Sequence, residues 1–130
     1  MNVALAIITS GQKILICKIK PEKKSEYGGL DYVFPCESIN KLDNIELELV
    51  NEVKRQFDLD AKVINLIGER KHPATKNQTF YYHCEITSDD NMTATEDTDF
   101  ESFIWTNIDE LENYMPTLFD GVRKFLKSIE

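Results

Sequence analysis

Apolar residues recur at four-residue steps at Ile45, Leu49, Val53 and Phe57, with Leu42 and Val50 nearby. That period predicts an amphipathic helix over this stretch. Asp43 or Asn44 is a suitable N-cap, since a short side-chain acceptor can bond the free amides of the first turn. Glu46 and Glu48 fall in the early turns and Lys54 and Arg55 near the end, which suits the helix dipole. Upstream, residues 3–8 form an apolar, branched run that predicts a buried strand. Ser10-Gly11-Gln12 gives a hairpin turn into a second strand over 13–18. A polar loop carrying Lys18, Lys20, Lys23 and Lys24 ends at Gly28-Gly29, and 32–35 reads as a short strand.

Downstream, 61–70 predicts a strand, and 71–77 a loop broken by Pro73 and Asn77. Alternation is clearest over 79–87, with Phe80, Tyr82, Cys84 and Ile86 on one face and Tyr81, His83 and Glu85 on the other. Residues 88–98 read as an acidic, mobile loop and 100–105 as a strand. A short helix capped by Thr106 or Asn107 follows and stops before Pro116. A last amphipathic helix covers 118–129, with Leu118, Val122, Phe125, Leu126 and Ile129 on one side. Strands, one long central helix, more strands and terminal helices define an α+β order in a single domain over 1–130.

Composition narrows the classes. At 130 residues and 42% hydrophobic content the chain is long enough for one real core. No apolar run approaches the roughly 20 residues that span a bilayer, and the first ten lack a basic leader region. Cys17, Cys36 and Cys84 are an odd, widely spaced set that fits a reducing cytoplasm better than a disulfide framework. A net charge of −8 argues against a nucleic acid backbone or an anionic membrane as partner, while leaving room for a small anion in a local basic pocket. His72 and His83 are the only histidines, and neither has further ligands at metal-site spacing.

The stretch from Phe34-Pro35 through the helix to Leu59 resembles the loop-helix box of the Nudix hydrolases. So does the later pattern Trp105-Thr-Asn-Ile-Asp-Glu-Leu. With Phe34-Pro35 as anchor, the box falls on Glu37, Asp43, Asn51, Glu52, Val53, Arg55, Gln56, Asp58 and Leu59. Glu52, Val53 and Leu59 match the family, and Asp43 is a conservative replacement. Cys36 and Glu37 stand where the family has turn glycines, Asn51 where it has arginine, Arg55 and Gln56 where it has glutamates, and Asp58 where it has the closing glycine. The resemblance implies a Nudix-like α/β/α sandwich with a mixed sheet. It also implies a small phosphate-containing ligand, pairing into a homodimer, and hydrolysis of a nucleoside diphosphate-linked compound assisted by Mg²⁺ or Mn²⁺.

The family's helix supplies three glutamates for that chemistry, because a hard divalent cation wants oxygen ligands. Here Glu52 alone remains as catalytic and metal-binding residue, with Glu48 one turn earlier as a weak second ligand. Glu37 and Asp43 approach from the loop, and Asp99 and Glu101 lie where relatives often carry an additional acid. A cation at Arg55 repels Mg²⁺, and the amide of Gln56 adds no charge. Tyr32, Lys18 and Lys20 are the candidate substrate contacts. Two readings follow: a hydrolase with a reduced acid set, or a catalytically inactive Nudix domain that binds a nucleotide-like ligand or a protein partner. A third, distant reading is a thiol-based module on Cys36, whose pKa would fall if it sat in a turn before a helix.

Overall fold

The computed structural model describes residues 2–39, 42–87, 99–116 and 118–129. Strands β1 (Asn2–Ser10), β2 (Lys13–Ile19), β3 (Tyr32–Val33), β4 (Cys36–Ile39), β5 (Ala61–Lys71), β6 (Gln78–Ile86) and β7 (Phe100–Asn107) form one seven-stranded mixed sheet. Helix α1 (Ile45–Phe57) lies on one face. The short α2 (Leu111–Tyr114) and α3 (Asp120–Ile129) lie on the other. The result is the α/β/α sandwich with a mixed sheet.

Alternation along the central strands supplies both faces. Ala4, Ala6 and Ile8 of β1 and Leu15, Cys17 and Ile19 of β2 bury against Ile45, Leu49, Val53 and Phe57 of α1. Leu5, Ile7, Ile14 and Ile16 point the other way, onto Leu111, Val122 and Leu126. Strands covered on both faces read as continuous apolar runs, as 3–8 does. The helix ends where Asp58 turns left-handed (φ 55°) and its amide bonds the Lys54 carbonyl at 3.0 Å. Neither Asp43 nor Asn44 caps the start as expected. Asn44 holds the N-cap position without a side-chain bond, because a short 3-10 turn over Leu42–Asn44 leads straight into the helix.

The sheet opens into a fork that builds the site. β1 and β2 pair only beside their hairpin, at Thr9–Ile14 and Ser10–Lys13. Beyond that they diverge. β3 fills the β2 side through Cys17–Val33, and β4 fills the β1 side from Leu5–Cys36 to Asn2–Ile39. Phe34-Pro35 bridges the two, and the Pro35 carbonyl accepts the Ala6 amide at 2.8 Å. The segment after Pro35, which the box analogy makes a turn, is therefore strand. Pairing with β1, a contact remote in sequence, decides its conformation.

The lysine-rich segment expected to be a loop is a 3-10 helix over Pro21–Tyr27, opened by proline and closed by Gly28 in the left-handed region (φ 67°). A Cβ on Gly28 would stand 2.7 Å from the Ala74 backbone, so this glycine permits close approach of the 72–77 turn. β5 carries two irregularities against β6, between Val63 and Asn65 and between Leu66 and Gly68, which break its alternation. β7 runs on to Asn107, two residues past the expected end, because Ile14 and Lys13 of β2 still pair with Thr106 and Asn107. The final helix begins at Asp120 rather than Leu118. The acidic segment expected over 88–98 lies outside the described residues. Among those described, no helix is long and apolar enough to cross a membrane.

Candidate functional site

The fork of the sheet and helix α1 enclose a cavity of about 410 Å³. Cys36, Glu37 and Ser38 of β4 line one wall, and Glu52, Arg55 and Gln56 of α1 the next. Glu26 and Tyr27 of the 3-10 helix close a third side with Asp99. His72, Thr75 and Asn77 of the turn between β5 and β6 complete the rim.

Arg55 clamps Glu52 one turn back along the helix. Its Nε donates to Glu52 Oε2 at 3.1 Å and its Nη2 to Oε1. Gln56 donates its amide to the same Oε1 at 2.6 Å. A further hydrogen bond joins Glu52 to Glu37 across the cavity wall. Burial and the Glu52 carboxylate beside it push Glu37 up to about 7. Burial also works against the charge on Glu52, but the bonds from Arg55, Glu37 and Gln56 outweigh it and hold Glu52 below the ordinary range. Glu52 is only 15% exposed, whereas Arg55 is 53% exposed.

These residues do not fit the divalent metal implied by the resemblance. Of the three box carboxylates one remains, and a guanidinium already spans both its oxygens. No group of three His, Cys, Asp or Glu side chains among the described residues is placed to hold a metal. Glu48 is close enough to raise Glu37 electrostatically but does not line the cavity. Asn51 is exposed and Asp58 serves as the helix C-cap.

The other expected residues separate. Lys18 and Lys20 do not line the cavity, and Lys18 pairs with Glu101 at 3.9 Å. Tyr32 packs edge-on against Tyr114, with ring centroids 4.9 Å apart, on the α3 side of the sheet. Asp99 does reach the cavity, accepting from the Tyr27 hydroxyl at 2.9 Å and pairing with Lys23 at 3.8 Å. Cys36 is corrected most sharply. It begins a strand rather than a helix-start turn, and burial with Glu37, Asp99 and Glu52 nearby pushes its thiol up to about 12. The thiol reading loses its physical basis. His83 shares the face of Tyr81, as the alternation predicts. It is buried under Phe125, and its Nε2 lies 2.9 Å from Thr9 Oγ1.

His72 is the residue that the sequence reading passed over. Its Nδ1 accepts the amides of Ala74 (3.1 Å) and Thr75 (3.3 Å), which sets the neutral tautomer with the proton on Nε2. Burial, then Arg70, pushes its pKa down to about 4. Protonation removes the acceptor that shapes the rim. A base with a depressed folded pKa stabilises fully above its unfolded value and loses that contribution as pH falls. Thermal unfolding should therefore show stability falling from about pH 6.5 towards pH 4, and His72→Asn should flatten that dependence.

Similar architectures occur among solved structures. A Nudix hydrolase from Nitrosomonas europaea aligns over 98% of this chain and 70% of its own at 11% identity, with a TM-score of 0.70. An ADP-ribose pyrophosphatase from Streptococcus suis aligns over 96% and 87% at 15% identity and 0.68. An Ap4A hydrolase from C. elegans aligns over 97% and 93% at 10% identity and 0.68. No family model and no curated protein matches the sequence. The chain has the Nudix fold, and its cavity lies where the strand-loop-helix stretch resembling the Nudix box meets the sheet.

Proposed function

We propose that this cavity receives a small nucleoside diphosphate-linked compound and that the chain departs from ordinary metal-dependent Nudix hydrolysis. The Arg55–Glu52 pair carries this reading: the one retained box carboxylate is bound to a guanidinium. The fold supports the ligand class, since its structural neighbours include a pyrophosphatase of ADP-ribose and a hydrolase of Ap4A. A cavity of about 410 Å³ also falls within the size of small-molecule sites. The second reading, a hydrolase with a reduced acid set centred on Glu52, is favoured by Glu37, which brings another carboxyl group against Glu52.

The two separate in one experiment. Phosphate release is measured from nucleoside triphosphates, dinucleoside polyphosphates and nucleotide sugars with Mg²⁺ or Mn²⁺, in wild type and Glu52→Gln. Thermal shifts are recorded on the same panel. We expect no metal-dependent turnover in either protein, with ligand-induced stabilisation in wild type. Turnover lost in Glu52→Gln establishes the hydrolase instead. No stabilisation and no turnover anywhere in the panel removes the ligand class itself.

A further inference from the structure

His72 holds a hydrogen-bond donor with nothing in the protein to receive it. The residue is 9% exposed. Two backbone amides occupy its Nδ1, so the ring proton sits on Nε2. Nε2 bonds no group among the described residues, yet it is not sealed from solvent. His72 lines the cavity and an adjoining hollow of about 30 Å³ beside Tyr32, Tyr81 and Phe119, so the N–H opens into this joined space. A donor buried to this degree calls for an acceptor from outside the chain.

The remaining lining says what kind of group carries that acceptor. Glu26, Glu37, Glu52 and Asp99 face the cavity, with Arg55 as the one Lys or Arg among the described lining residues. Such a wall repels a diphosphate. It suits a flat ring with an amino group, since carboxyl oxygens accept from base amino groups, and Leu5, Leu30 and Val33 add apolar surface. Arg55 and Gln56 hold Glu52, and Lys23 stands 3.4 Å from Glu26 and 3.8 Å from Asp99. Glu37 makes one hydrogen bond among the described residues, to Glu52, and a carboxyl group has acceptor places beyond that one.

We infer that the cavity takes the base of the ligand rather than its diphosphate: an amino-substituted heteroaromatic ring whose ring nitrogen accepts from His72 Nε2 and whose amino group donates to Glu37. This deepens the reading above and rests on it. The diphosphate then stays in solvent, clear of the four carboxyl groups.

Calorimetric titration of the full chain without metal tests this in wild type, His72→Phe and Glu37→Val. The probes are adenosine and cytidine, their carbonyl counterparts inosine and uridine, and ADP and CDP. Adenosine and cytidine place an amino group beside an acceptor nitrogen, whereas inosine and uridine place a carbonyl beside an N–H. We expect adenosine or cytidine to bind at least about tenfold tighter than its counterpart, as for a buried group left unpaired. ADP and CDP should gain less than about tenfold over their nucleosides. Each variant should lose the discrimination, whereas a merely structural role would weaken amino and carbonyl nucleosides together. Circular dichroism melts identify unfolded variants, and the wild-type discrimination decides alone if neither folds. Equal binding of the amino and carbonyl nucleosides, discrimination that survives in a folded variant, or binding of the diphosphates alone overturns this inference while leaving the ligand class intact. Absence of binding by all six compounds overturns both.

Discussion

Phe57→Ala should cost about 3–5 kcal/mol, the usual range for deleting a buried aromatic ring. Phe57 is fully buried at the end of α1, against β7. Its ring stacks on Phe100 with centroids 6.5 Å apart and meets Phe103 edge-on at 4.9 Å. Removing it leaves a cavity between the helix and β7 and frees the end of α1 that carries Arg55 and Gln56. Urea unfolding is the appropriate measurement, with the midpoint falling and the slope unchanged. Leu47→Ala makes the control, because Leu47 is 62% exposed on the same helix and should change stability by no more than about 0.5 kcal/mol. Similar losses in the two variants would mean that α1 does not bury the face described.

Arg55→Glu combined with Gln56→Glu should create a divalent-metal site on the box helix. The pair of changes removes the guanidinium from Glu52 and places three carboxylates at i, i+3 and i+4 on one helix face, beside Glu37. Without metal these charges repel one another, so the double variant should melt below wild type. Mn²⁺ binds only the folded arrangement and should reverse that loss in a concentration-dependent way. Affinity for Mn²⁺ should rise at least about tenfold over wild type, since oxygen-ligand charge count sets affinity for hard cations. A double variant that melts below wild type and is not rescued by Mn²⁺ would place the box helix wrongly with respect to β4.

Much of this architecture is legible in local pattern. The four-residue spacing from Ile45 to Phe57 specifies α1 and its buried face, and the tolerance of Asp58 for left-handed backbone specifies its end. The alternation around Tyr82 and Cys84 assigns Phe80, Tyr82, Cys84 and Ile86 to the α1 face and Tyr81 and His83 to the other. Where the reading misses, non-local pairing or unread turn chemistry decides. Nothing in Cys36-Glu37-Ser38-Ile39 announces a strand until β1 lies beside it. Pro21 and Gly28 do announce a helical segment, as a proline start and a glycine stop, but the lysines between them suggest a solvated loop.

The site divides in the same way. Glu52, Arg55 and Gln56 are readable because one helix sets their spacing. The rim formed by His72, Thr75 and Asn77 arrives from the β5–β6 turn, where Pro73 and Asn77 mark a turn without saying what it faces. Lys18 and Lys20 attract notice by charge, yet neither lines the cavity, and Lys18 pairs with Glu101 instead.

Glu52 is held by Arg55 rather than by a metal. Titration of the wild-type protein with Mn²⁺, following the free ion by electron paramagnetic resonance, tests this most directly. We expect no site tighter than about 1 mM, and the same curve for Glu52→Gln. A micromolar site that disappears in Glu52→Gln would contradict it, and would show that the carboxylate leaves the guanidinium for the metal.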